Sequence, residues 1–301
     1  MKATDRIAHY HLPGLFEFYD LYKAFLPLYR EHRDWFYPWC DIASLYGSPA
    51  DCLWGGGRAG FGNSRVKDVI ALVDEYNISA RLTFSNSLLK KEHLADKKCN
   101  ALCEQFQKTK AKSGVIVYCD VLVAYLREKF PDLYLVSSTT KVLTDFADFE
   151  AELNREDFSY VVPDFRLNKD FEHLTALSQA QKDKTEFLCN ECCSVNCKAR
   201  KACYENVSLR NLGEEVKEHH CVSPDASGGY RFSLAMKNPA FIGIADIQKI
   251  YLPRGFSSFK IEGRGLGSAL ILEFLLYYLT KSEYHINVRE AIYLDAMLDL
   301  F

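Results

Sequence analysis

The strongest constraint on this chain's fold is an alternation that runs almost from end to end. Short β-branched or apolar runs are each followed by a longer amphipathic stretch. The runs at 40–46, 80–84, 114–118, 133–137, 160–162, 185–188, 240–243 and 258–261 read as strands. Helical periodicity marks 65–76, 91–109, 120–129, 145–154, 170–182, 244–251 and 267–279, and an aromatic-rich helix over 14–33 opens the chain. Strict βα alternation requires crossover connections and therefore a parallel sheet. Eight strands suit a TIM-like (β/α)8 barrel, whose usual length is about 250 residues. An open doubly wound sheet is the alternative, and it needs a point where the strand order reverses, which a sequence does not display.

With 301 residues and 48% hydrophobic content the chain can bury a large core, and it carries no internal repeat, low-complexity tract or linker. Residues 1–301 are therefore read as a single α/β barrel domain. The stretch 189–237 is the exception to the alternation, and it reads as an enlarged cysteine-rich loop after the sixth of these strands. The net charge of −3, with Lys and Arg spread along the chain, does not favour nucleic acid as a partner, although it leaves room for a local basic groove. The first residues lack the apolar core of a secretory signal, and the most apolar stretch, 270–279, is interrupted by Glu273 and too short to span a bilayer. These features lead to the expectation of a cytoplasmic protein without a membrane partner, whose eleven cysteines are thiols or metal ligands.

Six of those cysteines fall between Cys189 and Cys221: Cys189, Cys192, Cys193, Cys197, Cys203 and Cys221. Loop cysteines at irregular spacings suit a four-iron cluster, which needs four converging thiolates. Zinc prefers separated pairs, whereas Cys189/Cys192 and Cys193/Cys197 overlap, so zinc is the weaker alternative and unmetallated thiols a third. His219 and His220 beside Cys221 read as a polar helix end before they read as ligands. Cys99 and Cys103 fall in phase with Ala95, Leu102 and Phe106, and read as core. The crowded aromatics Phe16, Phe18, Tyr19, Tyr22 and Phe25 read as a barrel plug or flank, with a protein-partner surface as the other reading.

A barrel places function at the C-terminal ends of its strands. Glu262 and Arg264, just past the last strand, can serve as acid or base and as an anion clamp; a rim salt bridge is the plainer account. Glu191, next to the thiols, is a candidate to meet substrate or a sulfur ligand, against an ordinary solvated loop residue. Trp54-Gly55-Gly56-Gly57-Arg58 lets backbone N–H groups and Arg58 approach a phosphate or carboxylate, or is simply a tight turn. No Ser-His-Asp order and no Cys-His nucleophile pair stands out, which counts against a conventional protease.

Four segments carry a resemblance to a known family. Asn190-Glu191-x-Cys193-x3-Cys197-x2-Arg200-x3-Tyr204 resembles the cysteine-containing core of the collagenase-like peptidase family, U32, and Lys260-Ile261-Glu262-Gly263-Arg264 resembles a signature of the same group. Leu45-Tyr46-Gly47-Ser48 followed by 54–58 is similar to its first βα loop, and Val161-Val162-Pro163-Asp164-Phe165 with Asn168 to the strand before the cysteines. The resemblance implies a barrel with a cysteine-ligated iron–sulfur cluster at its mouth. Members of the family include proteins named as peptidases and others that support oxygen-independent hydroxylation of RNA bases or of the ubiquinone ring. Carried over by position, Cys193 and Cys197 are the first ligands, Cys221 matches a later one, and the fourth is Cys52, with Cys203 or Cys189 as competitors. Cys203-Tyr204 stands where the family pattern has His-Tyr. The expected activity is thus that of an iron–sulfur-dependent modifying enzyme. A metal-stabilised non-catalytic partner subunit and a metal-dependent peptidase are the alternatives.

Overall fold

The computed structural model describes residues 6–57, 65–216, 220 and 221, and 228–295. Eight strands make one sheet: β1 (Ala8–Pro13), β2 (Cys40–Gly47), β3 (Ser79–Phe84), β4 (Gly114–Val117), β5 (Tyr134–Ser137), β6 (Phe158–Val161), β7 (Glu186–Leu188) and β8 (Ser258–Lys260). Their order is β6-β5-β4-β3-β2-β1-β8-β7, and every paired neighbour is parallel. A parallel bridge between Val161 and Thr185 brings the two ends of the sheet together. The open doubly wound alternative therefore falls, and the expected (β/α)8 barrel stands.

The membership of the eight differs from the sequence reading in two places. The opening segment starts with a strand, β1, before the helix α1 (Tyr19–Glu31). The apolar run 240–243 is not a strand. It crosses the end of β7, where the Ile242 N–H donates to the Cys189 carbonyl and the Asn168 side chain donates to the Ala240 carbonyl. One strand missed and one added leave the count unchanged, but the cysteine-rich segment follows the seventh strand, not the sixth.

The helices that matter for the site are α2 (Val66–Tyr76), α3 (Lys97–Phe106), α4 (Asp120–Lys129), α5 (Phe146–Leu153), α6 (Phe171–Ala176), α7 (Gln179–Lys184) and α8 (Arg200–Asn211). Each long helix buries one stripe against the sheet, as Val69, Leu72 and Val73 do on α2 and Leu122, Val123 and Leu126 on α4. Fully burying each such side chain is worth about 1.5–3 kcal/mol. Because strand side chains alternate, the strands feed two cores. Ala8, Tyr10 and Leu12 of β1 join the outer core under the helices, while Tyr46, Ile116, Val136, Val162 and Leu188 form a separate cluster inside the barrel. Among the described residues no helix is long and apolar enough to cross a membrane.

Candidate functional site

The barrel interior is partly ionic. Glu186 of β7 meets the Arg81 Nη1 of β3 at 2.5 Å, the Lys260 Nζ of β8 at 3.2 Å and the His11 Nε2 of β1 at 3.4 Å, all of them buried. His11 Nδ1 pairs with the Ser44 hydroxyl at 2.8 Å, and the Arg81 Nε donates to the Tyr134 hydroxyl at 2.7 Å. Burial pushes the Glu186 carboxyl up, but the cations Arg81 and Lys260 outweigh it and hold the group well below the usual carboxylate range. Burial also lowers the Lys260 ammonium, to about 8, against the pull of Glu186. The two shifts agree once the contacts are ranked: Arg81 is the tight cation, Glu186 stays ionised, and Lys260 is the looser partner. Burial pushes His11 well below its ordinary value, so its imidazole is neutral at pH 7.

Above this network the C-terminal ends of the strands surround a cavity of about 220 Å³. Lys260 reaches its floor with Nζ 3.9 Å from the centre of the Tyr46 ring. Tyr46, Ile116 and Leu188 make the floor apolar, and Thr83, Ser85, Glu262 and Arg264 line the wall. The backbone fits closely here: a Cβ on Gly56 would lie 2.2 Å from the Ser85 carbonyl oxygen, so that turn takes glycine for a close approach. Val142, which ends the turn Thr139–Lys141 beside the cavity, holds φ at 56°, a left-handed conformation costly for a β-branched residue.

A second cavity, of about 580 Å³, lies over the cysteine segment. Four thiol residues line it: Cys192, Cys193, Cys197 and Cys221. Cys192 also lines the mouth cavity, so the two spaces meet at that residue. The segment is fastened from below by buried charge. The Glu191 Oε1 accepts the backbone N–H groups of Cys192 and Cys193, each at 3.0 Å, and its Oε2 lies 2.5 Å from the Arg200 Nη1. The Arg200 Nε lies 3.2 Å from Asp164, which also pairs with Arg166; Arg166 in turn donates to the Cys197 carbonyl at 3.2 Å. Asp164 follows β6, Arg200 opens α8, and Glu191 follows β7, so three separate elements fix one loop.

The proposed residues divide accordingly. Cys193, Cys197 and Cys221 line the same cavity. Cys52 does not join them: it is buried, lies outside the residues that line the cysteine cavity, and is hydrogen-bonded by the Cys99 thiol. Cys203 sits half-buried on the first turns of α8, also outside that lining, and Cys189 is fully buried at the end of β7. Cys192, passed over in the sequence, lines that cavity as well. Glu191 is built in as a fastener of the loop. Glu262 stands where the two cavities meet, its Oε1 accepting the Cys192 N–H at 3.3 Å. Ligand atoms of Glu191, Cys192 and Glu262 lie within 4.8 Å of one another, close enough to share a cation. Arg264 lines the mouth but is already paired, with its Nε 2.6 Å from Glu17 and its Nη2 donating to Ser48. Arg58 and His219 lie outside the described residues. Ser85 and Asp164 follow predicted strands, where a barrel places function; Lys260, Thr83 and Arg200 were not singled out as site residues, although Lys260 and Arg200 stand inside the quoted motifs.

No protein-family model matches the chain, and no curated protein matches its sequence. Among solved structures, that of the U32 peptidase Mk0906 superposes on it with a TM-score of 0.50, covering 88% of this chain and 96% of that one at 14% sequence identity. At that identity the likeness speaks to the fold alone: this chain shares a barrel fold with that structure.

Proposed function

We propose that this chain is an iron–sulfur-dependent modifying enzyme of the U32 kind, with its cluster on the loop thiols and its substrate in the barrel mouth. The observation that carries the reading is the convergence of Cys192, Cys193, Cys197 and Cys221 on one cavity that meets the mouth at Cys192. Four thiolates from an irregular loop are the donor set of a four-iron cluster, so these residues fit the group. A bound cluster would supply one-electron chemistry at the edge of the mouth. The protein's own part is to hold the thiols through Glu191 and Arg200, to present Glu262 as a proton acceptor, and to keep Lys260 at the floor as a buried amine able to give up its proton near neutral pH.

Anaerobic purification tests the reading. Brown protein with about four irons per chain is expected for one such cluster, and Cys193→Ala or Cys197→Ala should strip the iron. Colourless protein with stoichiometric zinc overturns it. Glu262→Gln should then abolish turnover with the iron retained.

A metal-dependent peptidase is the second reading, favoured by the Glu191–Cys192–Glu262 trio and by the barrel shared with a U32 peptidase. It ranks second because the Glu191 oxygens are taken by Arg200 and two backbone N–H groups.

A further inference from the structure

The thiol cavity opens on a surface whose charge differs from that of the chain as a whole. Over the full sequence acidic residues outnumber basic ones, 40 to 37. Around the thiols the balance reverses. Arg231 and Lys237 line the cavity, are exposed, and carry charge that is unmatched among the described residues. The acid in the same lining, Glu191, is buried and held by Arg200. Lys198, next to Cys197, is a third exposed cation.

Among these charges lies exposed apolar surface on a fixed support. The short helix α9 (Phe232–Ala235) is pinned by its first residue, whose ring packs against Phe241, Phe274 and Tyr277, with the Phe274 ring centre at 4.7 Å. Just beyond it, the Asn238 side chain donates to the Cys193 carbonyl at 3.0 Å and ties the segment to the thiol loop. The segment's outward residues are Leu234 and Met236, 39% and 44% exposed, and Leu234 also lines the cavity.

An apolar centre inside a charged rim is the arrangement of a protein interface. A nucleic acid strand would use the cations but not the aliphatic chains, because single strands are held by stacking on aromatic rings. Tyr230 is the one aromatic side chain in the cavity lining among the described residues, and it is half-buried with its hydroxyl donating to the Asn190 carbonyl at 3.0 Å. The chemistry of the site then narrows the kind of protein. A cluster on these thiols exchanges its electron with something outside the chain, and Cys192 and Cys221 are exposed on this face. Electron carriers meet their partners through small, transient contacts that charge steers into register.

We infer that the thiol face, with Leu234 and Met236 inside a rim of Arg231, Lys237 and Lys198, docks a small acidic electron-transfer protein. The carrier gives up one electron and the cluster gains it, with no bond made or broken. This deepens the proposed function by naming its partner, and the electron step rests on that reading's cluster. The docking surface does not.

The purified full-length chain, of known iron content, is titrated by calorimetry with two acidic carriers, a plant-type ferredoxin and a flavodoxin. At least one should bind, and its affinity should fall at least tenfold when salt rises from about 50 to about 300 mM. The charge reversal Arg231→Glu/Lys237→Glu should weaken binding at least tenfold, and Leu234→Ser/Met236→Ser about fivefold. The same reversal at exposed Lys67 and Lys108, on α2 and beyond α3, should leave binding within about twofold of the parent. A melting curve for each variant checks that it folds. In stopped-flow mixing, the reduced carrier should bleach the visible absorbance of the iron-loaded chain, more slowly in the Arg231/Lys237 variant. Binding of neither carrier, binding that this variant leaves unchanged, or tighter binding of a single-stranded RNA oligonucleotide through the same cations each overturns the inference. Because the titration needs no iron, colourless protein that binds a carrier through Arg231 and Lys237 refutes the cluster alone. Brown protein that ignores both carriers refutes the docking surface alone.

Discussion

Two sets of cysteines in this molecule look alike in sequence and differ in everything physical. Cys99 and Cys103 stand one turn apart on the buried face of α3, and Cys52 comes to them from the loop after β2; all three are buried. Cys192, Cys193, Cys197 and Cys221 are exposed or half-buried, and the first three lie between β7 and α8 on a segment without regular structure. The hydrogen bond that the Cys99 thiol donates to Cys52, and then burial, push Cys99 far up, and burial and then Cys52 do the same to Cys103, so neither is a thiolate near pH 7. The loop set is instead held by Glu191 and Arg200, which anchor the backbone and leave the thiols at a cavity. Spacing alone does not separate filler from ligand. What separates them is whether the protein spends its charge on fastening the backbone or its apolar surface on covering the sulfur.

The largest difference should appear in alkylation of metal-free protein at pH 8, read cysteine by cysteine by mass spectrometry. Cys192 and Cys221 are exposed and should label at the rate of an accessible thiol. Cys99 and Cys103 can label only through opening of the core, which costs a large part of a global stability of about 5–15 kcal/mol, so they should lag by about a thousandfold or more. Labelling of Cys99 at the pace of Cys221 breaks the comparison outright.

Arg200→Met comes next in size. It leaves Glu191 without its cation and Asp164 with Arg166 alone, all in a buried setting. Removing one partner of a buried charge network costs about 3–5 kcal/mol. Urea denaturation should show that loss, iron retention should fall with it, and Cys193 and Cys197 should alkylate faster while Cys99 does not. Unchanged stability together with an unchanged labelling pattern removes the fastening role from Arg200.

The parts of this arrangement that sequence displays are the local ones. The barrel is written in the alternation because each βα unit buries its own stripe. β1 was hidden by His9 and His11, which sit where a strand of this kind usually carries apolar residues. His11 faces an interior that needs polarity, and it pairs with Ser44 and Glu186. The alternation Ala8, Tyr10, Leu12 was there to be read beneath it. The run 240–243 misled for the opposite reason: its burial comes from lying across the end of β7, which apolar content does not distinguish from strand pairing. Cys193 and Cys197, which the motif singles out, line the cavity over the loop. That Cys192 lines both cavities is visible only in the folded loop. Nor could Glu17 be foreseen behind Arg264, because the two lie at opposite ends of the chain and are joined by barrel closure.

The smallest effect sharpens the comparison through pH. The folded-state value of Cys103 is raised by burial first and by Cys52 second, while an unfolded thiol titrates near its ordinary value of 9.0. For a raised group the contribution to stability is complete below the unfolded value, and it is lost as pH rises from there toward the folded one. Between pH 9 and pH 10 the unfolded chain gains about 1 kcal/mol per such thiol, since it ionises and the folded chain does not. The stability cost of Cys103→Ala, measured by urea denaturation, should therefore be constant up to about pH 8 and shrink by about 1.4 kcal/mol by pH 10, because the variant has no thiol to ionise. A cost for Cys103→Ala that holds level across the alkaline range would mean that its sulfur ionises in place, and that the α3 thiols belong with the loop set after all.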